Sequence, residues 1–162
     1  MLLNAFTVFH VALSLIGIGA GVITIYGLMN ARTLPGWTKL FLATTAATSV
    51  TGFFFPFNGL TPALVLGILS LVVLLLAGLA LYRHRLRGAW RRCYAITAVI
   101  ALYFNVFVLV VQVFRRVPVL TALAPTQSEP PFQIAQFVTL LIFAAIGVRA
   151  ARKKPSEFSH SS

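Results

Sequence analysis

Residues 62–82 read PALVLGILSLVVLLLAGLALY, and the next ten residues, 83–92, read RHRLRGAWRR. An α-helix needs about 20 mainly apolar residues to cross the hydrocarbon core of a bilayer, and the first segment has that length. The second segment is rich in arginine, which requires water or lipid head groups. An apolar run followed at once by a basic cluster therefore predicts a transmembrane helix that ends at a membrane surface.

Four further apolar runs flank this one. The predicted spans cover about 6–29, 39–56, 62–82, 94–114 and 132–148. Hydrophobic residues make up 59% of the chain, and so small a domain cannot bury that much apolar surface away from water. The span lengths favour helices over a barrel. The sequence therefore predicts an all-α bundle of five transmembrane helices in a single domain, residues 1–152, with a polar, disordered tail at residues 153–162.

Basic residues are distributed unevenly between the predicted connections. One side has eleven of them: Arg32, Lys39 and a topology-setting group made of Arg83, Arg85, Arg87, Arg91, Arg92, Arg149, Arg152, Lys153 and Lys154. The other side has only Arg115 and Arg116. By the positive-inside rule, the N-terminus is expected outside and the C-terminus in the cytoplasm.

The net charge of +11 is interpreted as the charge of these membrane anchors, which anionic lipids attract. We expect no nucleic-acid partner, because the chain offers no soluble domain with an aromatic and basic surface. The expected partners are the lipid bilayer and, for a suitable helix face, a second copy of the chain or a larger membrane complex.

Small residues form one face of the first predicted span. Ser14, Gly17 and Gly21 are spaced so that two helix backbones could approach closely along them. This face predicts either packing within the chain or a homodimer contact. On the second span, Thr44 and Thr48 begin a hydroxyl stripe that extends to Thr51, which predicts either self-satisfied packing or a polar path.

Polar side chains gather at the predicted outer ends of several spans. The candidate cluster consists of His10, Asn105, Gln112, Gln127, Glu129, Gln133 and Gln136. One interpretation is hydrogen bonding between helices, with Ser128 or Glu129 as the N-cap of the last span. The other is a small pocket for a polar head group, such as that of a quinone or lipid. The proline-rich connection at residues 115–131 is either a cap over this pocket or a structural link.

The sequence offers little material for catalysis or metal binding. His10 is the only histidine within a predicted span, so a haem with two axial histidines is not expected. Too few histidines, cysteines and carboxylates are available for a metal site. No charged residue lies at mid-depth, which argues against a proton-coupled transporter. We predict no catalytic residue, no metal and no cofactor.

The blocks TGFFFP at residues 51–56 and LAPTQSEPPF at residues 123–132, together with GAWRR at 88–92, resemble those of small multi-pass proteins from proteobacterial genomes. Tyr103, Asn105 and Gln112 add to the resemblance, which covers most of the chain. It implies a bacterial inner membrane. The group has no known activity, so the resemblance transfers no catalytic residue.

Three functions remain open from the sequence. The first is a non-enzymatic accessory or assembly component that works through helix packing and its outer loop. The second is a binder or transporter of a small amphipathic molecule at the polar cluster. The third is a membrane subunit of an oxidoreductase.

Overall fold

The computed structural model of this chain describes residues 2–56 and 59–153, and the regular elements within them are all helical. The predicted all-α class is therefore confirmed for these residues. In chain order the elements are α1 (Leu2–Met29), α2 (Pro35–Gly52), α3 (Pro62–Gly78) with a π-helical turn directly after it (Leu79–Arg83), α4 (Ala89–Arg116), α5 (Pro118–Leu123) and α6 (Pro130–Arg152). Lys154 and the rest of the predicted disordered tail lie outside the described residues.

Four helical segments are long and apolar enough to cross a membrane. They are Asn4–Met29, Pro62–Arg83, Ala89–Arg116 and Pro130–Arg152. Within the described residues α2 is not among them, because its threonines, its serine and Lys39 lower the mean hydropathy of its 18 residues. Four such helices in one chain support a multi-pass membrane protein.

Contacts between α1 and α2 show that these two helices run antiparallel. His10, near the start of α1, is hydrogen-bonded to Thr51 at the end of α2, with 2.8 Å between Nδ1 and Oγ1. Further along α1, a Cβ added to Gly17 would lie 3.2 Å from the hydroxyl of Thr45. Residue numbers therefore increase along α1 in the direction in which they decrease along α2.

The other long helices alternate in the same way. The hydroxyls of Ser49 on α2 and Ser70 on α3 are hydrogen-bonded, and Phe53 lies beside Gly67. α4 runs antiparallel to both α1 and α6, as shown by the contacts Gly17–Asn105, Gly21–Leu102, Gln136–Phe107 and Gly147–Val99. The start of α1 and the end of α6 consequently lie at opposite ends of the bundle.

Prolines begin helices here where the sequence suggested turns. Pro35 lies in the connection between the first two predicted spans, but it stands in the first turn of α2, where a proline has no N–H bond to lose. The connection predicted at 115–131 is also partly helical, because α4 continues to Arg116 and Pro118 starts the short helix α5. The loop proper is confined to residues 124–129.

The prediction for the N-cap of the last helix is right in position and wrong in the hydrogen bond that it implies. Glu129 does occupy the cap position of α6, but its side chain makes no capping bond. Its carboxylate instead accepts hydrogen bonds from the backbone N–H groups of Thr126 and Ser128. Pro130 and Pro131 supply no N–H groups at the start of α6, so the carboxylate bonds back into the loop.

The arginine-rich connection between α3 and α4 is a compact turn. The His84 ring stacks face to face on Trp90, with 3.7 Å between ring centroids. Arg85, Leu86 and Gly88 adopt positive φ angles, which reverse the chain in a few residues. Arg91 of the predicted topology-setting group is buried, whereas its other members in this turn are exposed.

Most buried apolar side chains lie in one half of the bundle, here called the closed half: residues 18–29 of α1, 38–46 of α2, 73–81 at the end of α3 and its π turn, and 90–102 of α4. Phe41 fills its centre and is fully buried. A Cβ on Gly21 would lie 2.7 Å from Leu102 and 2.9 Å from Phe41. Gly17 and Gly21 of the predicted small-residue face therefore pack against α2 and α4 of the same chain.

Candidate functional site

The opposite half of the bundle, here called the hollow half, encloses a cavity of about 690 Å³. The hollow half comprises residues 7–16 of α1, 47–56 at the end of α2, 63–71 of α3 and 104–116 of α4. All four helices contribute to the wall. The volume falls within the range of small-molecule sites, which is about 300–1,000 Å³.

The deep end of the cavity, its floor, is polar. It is lined by Ser14, Thr48, Ser49, Ser70 and Asn105. The Asn105 amide donates to the Thr45 hydroxyl at 3.2 Å, and Ser49 donates to its own helix at the Thr45 carbonyl. These bonds hold the floor side chains in place between α2, α3 and α4.

One hydroxyl of the floor stands out. Thr48 is 8% exposed, and among the described residues its Oγ1 is buried without a hydrogen-bond partner. The neighbouring stripe residues differ, since Thr44 donates to the Leu40 carbonyl and Thr51 to the Ala47 carbonyl. A buried hydroxyl without a partner costs free energy, on the order of 1–3 kcal/mol. Because the Thr48 side chain lines the cavity, rotation about its χ1 would let the hydroxyl bond to an occupant with a donor or acceptor and relieve that cost.

The middle of the cavity is mainly apolar, with one histidine. Val11, Phe53 and Leu109 line it. The Thr51 hydroxyl gives its proton to its own helix, so it accepts a hydrogen bond from His10. Nδ1 is therefore the donor of this hydrogen bond. Phe55 packs edge-on against the same ring, with 5.1 Å between centroids.

The mouth of the cavity is cationic. Gln112, Arg115 and Arg116 from the last turns of α4 line it, and all three side chains are exposed. Thr7 of α1 lies opposite them. The cavity therefore has three layers along its axis, which are a neutral polar floor, an apolar middle and a positively charged mouth.

The seven predicted cluster residues divide between two sides of α4. His10, Asn105 and Gln112 meet at the cavity. The other four lie towards α6 and the 124–129 loop, where their side chains bond to the protein: Gln127 to the Val111 carbonyl, Gln136 to the Phe107 carbonyl, Gln133 to the Ser128 carbonyl and Glu129 to Thr126. The structure does not bring these four into the cavity.

Glu129 also shows how the loop is stabilised. The Thr126 hydroxyl donates to its carboxylate at 2.7 Å, and this bond, with the two backbone N–H donors, holds the pKa of Glu129 below its ordinary value. Because this carboxylate already accepts several hydrogen bonds within its own loop, it stabilises the loop and does not contribute to the cavity.

Sequence reasoning did not place Ser49, Ser70, Arg115 and Arg116 in a site. The threonine stripe was the available signal for the floor, because its spacing faces one neighbour. The signal for the mouth was the isolation of Arg115 and Arg116 on the predicted outer side. Their position across a cavity from α1 and α3 could be seen only in the packed bundle.

No protein-family model, curated protein or solved structure matches this chain.

Proposed function

We propose that this protein is an integral membrane binder of a small amphipathic molecule, which it holds in the cavity between α1, α2, α3 and α4. The observation that carries the proposal is the buried, unsatisfied Thr48 hydroxyl at the floor of a cavity whose middle is apolar. An occupant with an oxygen-bearing end and an apolar body would satisfy both layers. Quinones and lipids are molecules of this kind.

We further propose that all five long helices cross a bacterial inner membrane, with the N-terminus outside and the C-terminus in the cytoplasm. The alternating helix directions support this, because α2 shares the ends of α1 and α3. Its 18 residues extend about 27 Å, close to the thickness of a bilayer core. In this orientation the cavity opens on the outer side.

The binding proposal is tested by filling the cavity. Ser14→Phe introduces a ring into the floor, and Val11→Trp does so in the middle in case the first variant folds poorly. Ala12→Phe places the same added bulk on the exposed side of α1 and is the matched control. We expect small molecules that co-purify with the wild type, identified by mass spectrometry of protein in nanodiscs, to be lost from both cavity variants and retained in the control.

Retention of the same molecules by both filled variants, with unchanged unfolding temperatures, would refute binding in the cavity. The orientation is tested separately with a reporter that is active only in the periplasm. Fusion at Pro125 should give activity, and fusion after Lys153 should give none. Activity at the second position would overturn the five-span topology.

An accessory or assembly role is the second candidate, and the position of α6 favours it. Only 6% of the most apolar window of α6 is buried within the chain, compared with 33% for α4. Bulky side chains such as Phe137 and Ile142 are exposed along it. Photocrosslinking from Phe137 in cells should capture a protein partner if α6 docks one, and lipid alone if it faces the bilayer. The oxidoreductase hypothesis stays a prediction from the sequence.

A further inference from the structure

We propose that the occupant of the cavity is an anionic amphiphile whose charged group is bound by Arg115 and Arg116 at the mouth. This inference rests on the proposed binding function and adds the chemical class of the ligand. The anionic group is a phosphate or a carboxylate attached to an apolar chain, since the guanidinium fork binds either of them in a bidentate manner.

The first support is the charge balance around the mouth. The chain has only two acidic residues, Glu129 and Glu157, and the second lies outside the described residues. The carboxylate of Glu129 accepts hydrogen bonds from Thr126 and Ser128. Within residues 2–56 and 59–153, no ion pair joins Arg115 or Arg116 to a carboxylate. Two neighbouring cations therefore line an open cavity without a protein counter-ion in the described part of the chain.

The second support is the position of the two arginines. Basic residues at the end of a helix are favoured by the helix dipole, which accounts for a charge in the last turn of α4. The dipole does not require these side chains to line a cavity together with residues of α1 and α3, as they do. Under the proposed topology they are also the basic residues that the positive-inside rule disfavours.

The third support is the order of the layers. Ten residues of α4 separate Asn105 at the floor from Arg115 at the mouth, which corresponds to about 15 Å along the helix. Apolar side chains such as Val108 and Leu109 lie between them. A free inorganic anion would use only the mouth, whereas an anionic amphiphile would also occupy the apolar middle.

The test uses the full-length protein in phosphatidylcholine nanodiscs and two radiolabelled probes with the same chain. Dodecyl phosphate carries the anion, and dodecan-1-ol lacks it. Charge-assisted hydrogen bonds are worth about 1.5–3 kcal/mol, so dodecyl phosphate should bind the wild type about tenfold to a hundredfold more tightly. The double variant Arg115→Gln/Arg116→Gln should remove that advantage.

Two controls isolate the role of the mouth. Arg149→Gln/Arg152→Gln removes the same charge from the other end of the bundle and should leave the preference for dodecyl phosphate unchanged. Arg115→Lys/Arg116→Lys keeps the charge and should retain part of the preference. Inorganic phosphate at the same concentration should not displace bound dodecyl phosphate.

The outcomes separate this inference from the binding function. Equal binding of the two probes by the wild type, with both lost in Ser14→Phe, would overturn the anionic ligand and leave the cavity binder intact. Binding of both probes that Ser14→Phe does not reduce would overturn both proposals, as would no binding of either probe. Full displacement by inorganic phosphate would show that a free anion, and not an amphiphile, is the ligand.

Discussion

The two halves of this bundle use the same four helices and pack them in different ways. In the closed half, alanines and Gly21 bring the helices together around Phe41. In the hollow half, the same helices continue with serines, threonines and Asn105 around a cavity of about 690 Å³. The difference teaches that one well-packed half can hold the helices in register while the other half contains a cavity. In a membrane, small residues provide this close packing.

The largest effect is expected from a pair of glycine substitutions that compare the packing of the two halves. Gly21→Ala adds a methyl group 2.7 Å from Leu102, and overpacking of this kind costs about 1–3 kcal/mol. Gly67→Ala in the hollow half adds one 3.2 Å from the Phe53 ring, which borders the cavity and has room to shift. It should be neutral or stabilising by up to about 1 kcal/mol, the gain in helix propensity.

Unfolding of the two variants in mixed micelles measures both free-energy changes relative to the wild type. Equal destabilisation by the two alanines would mean that the halves are packed alike, and the distinction between them would be lost.

The next effect concerns the hydroxyl at the cavity floor. Thr48→Val keeps the shape of the side chain and removes the hydroxyl that has no partner among the described residues. Stability should be unchanged or slightly higher, while the affinity for a co-purified ligand should fall about threefold to tenfold, the worth of one net hydrogen bond.

Thr97→Val is the matched control for that substitution. Its hydroxyl is also buried, but it donates to the Cys93 carbonyl in its own helix and does not line the cavity. Titration of the ligand should give wild-type affinity for this variant. A loss of stability in Thr48→Val with no change in affinity would assign Thr48 to packing.

The smallest effect lies outside both halves, in the loop before α6. The folded-state pKa of Glu129 is lowered, so its contribution is fully present above the unfolded-state pKa and is lost as the pH falls through the folded value. Hydrogen exchange at the Thr126 and Ser128 amides should therefore accelerate, relative to intrinsic rates, under acidic conditions. Glu129→Gln should show no such dependence, and ligand affinity should not follow this titration.

Sequence patterns predicted the long helices well, because an apolar run of span length has few alternatives in lipid. Helix ends were harder. Pro35 and Pro118 interrupt hydrophobic patterns and suggest turns, yet both begin helices, since a proline in a first turn loses no hydrogen bond. Ser128 or Glu129 was expected to cap α6. Glu129 occupies the cap position, but its carboxylate accepts hydrogen bonds from N–H groups of the loop.

The candidate site was predictable in part. Asn105 and Gln112 are seven residues apart on α4, and that spacing placed them on one face, which is the cavity face. Gln136 was expected in the same outer polar cluster, and its side chain does reach α4, but it donates to the Phe107 carbonyl. The depth of a residue along a span can be predicted from the sequence. The helix that its side chain contacts depends on how the helices are arranged in the bundle.

The junction at Gly21 has a consequence for transit. Phe41 and Leu102 close the space beside it, and the residues that line the cavity stop short of this level. Under the proposed binding function, a ligand that enters between Arg115 and the start of α1 would find the bundle closed at the level of Gly21. Under the proposed binding function and topology, the protein would act as a one-sided receptacle that sets how long its ligand stays at the outer leaflet.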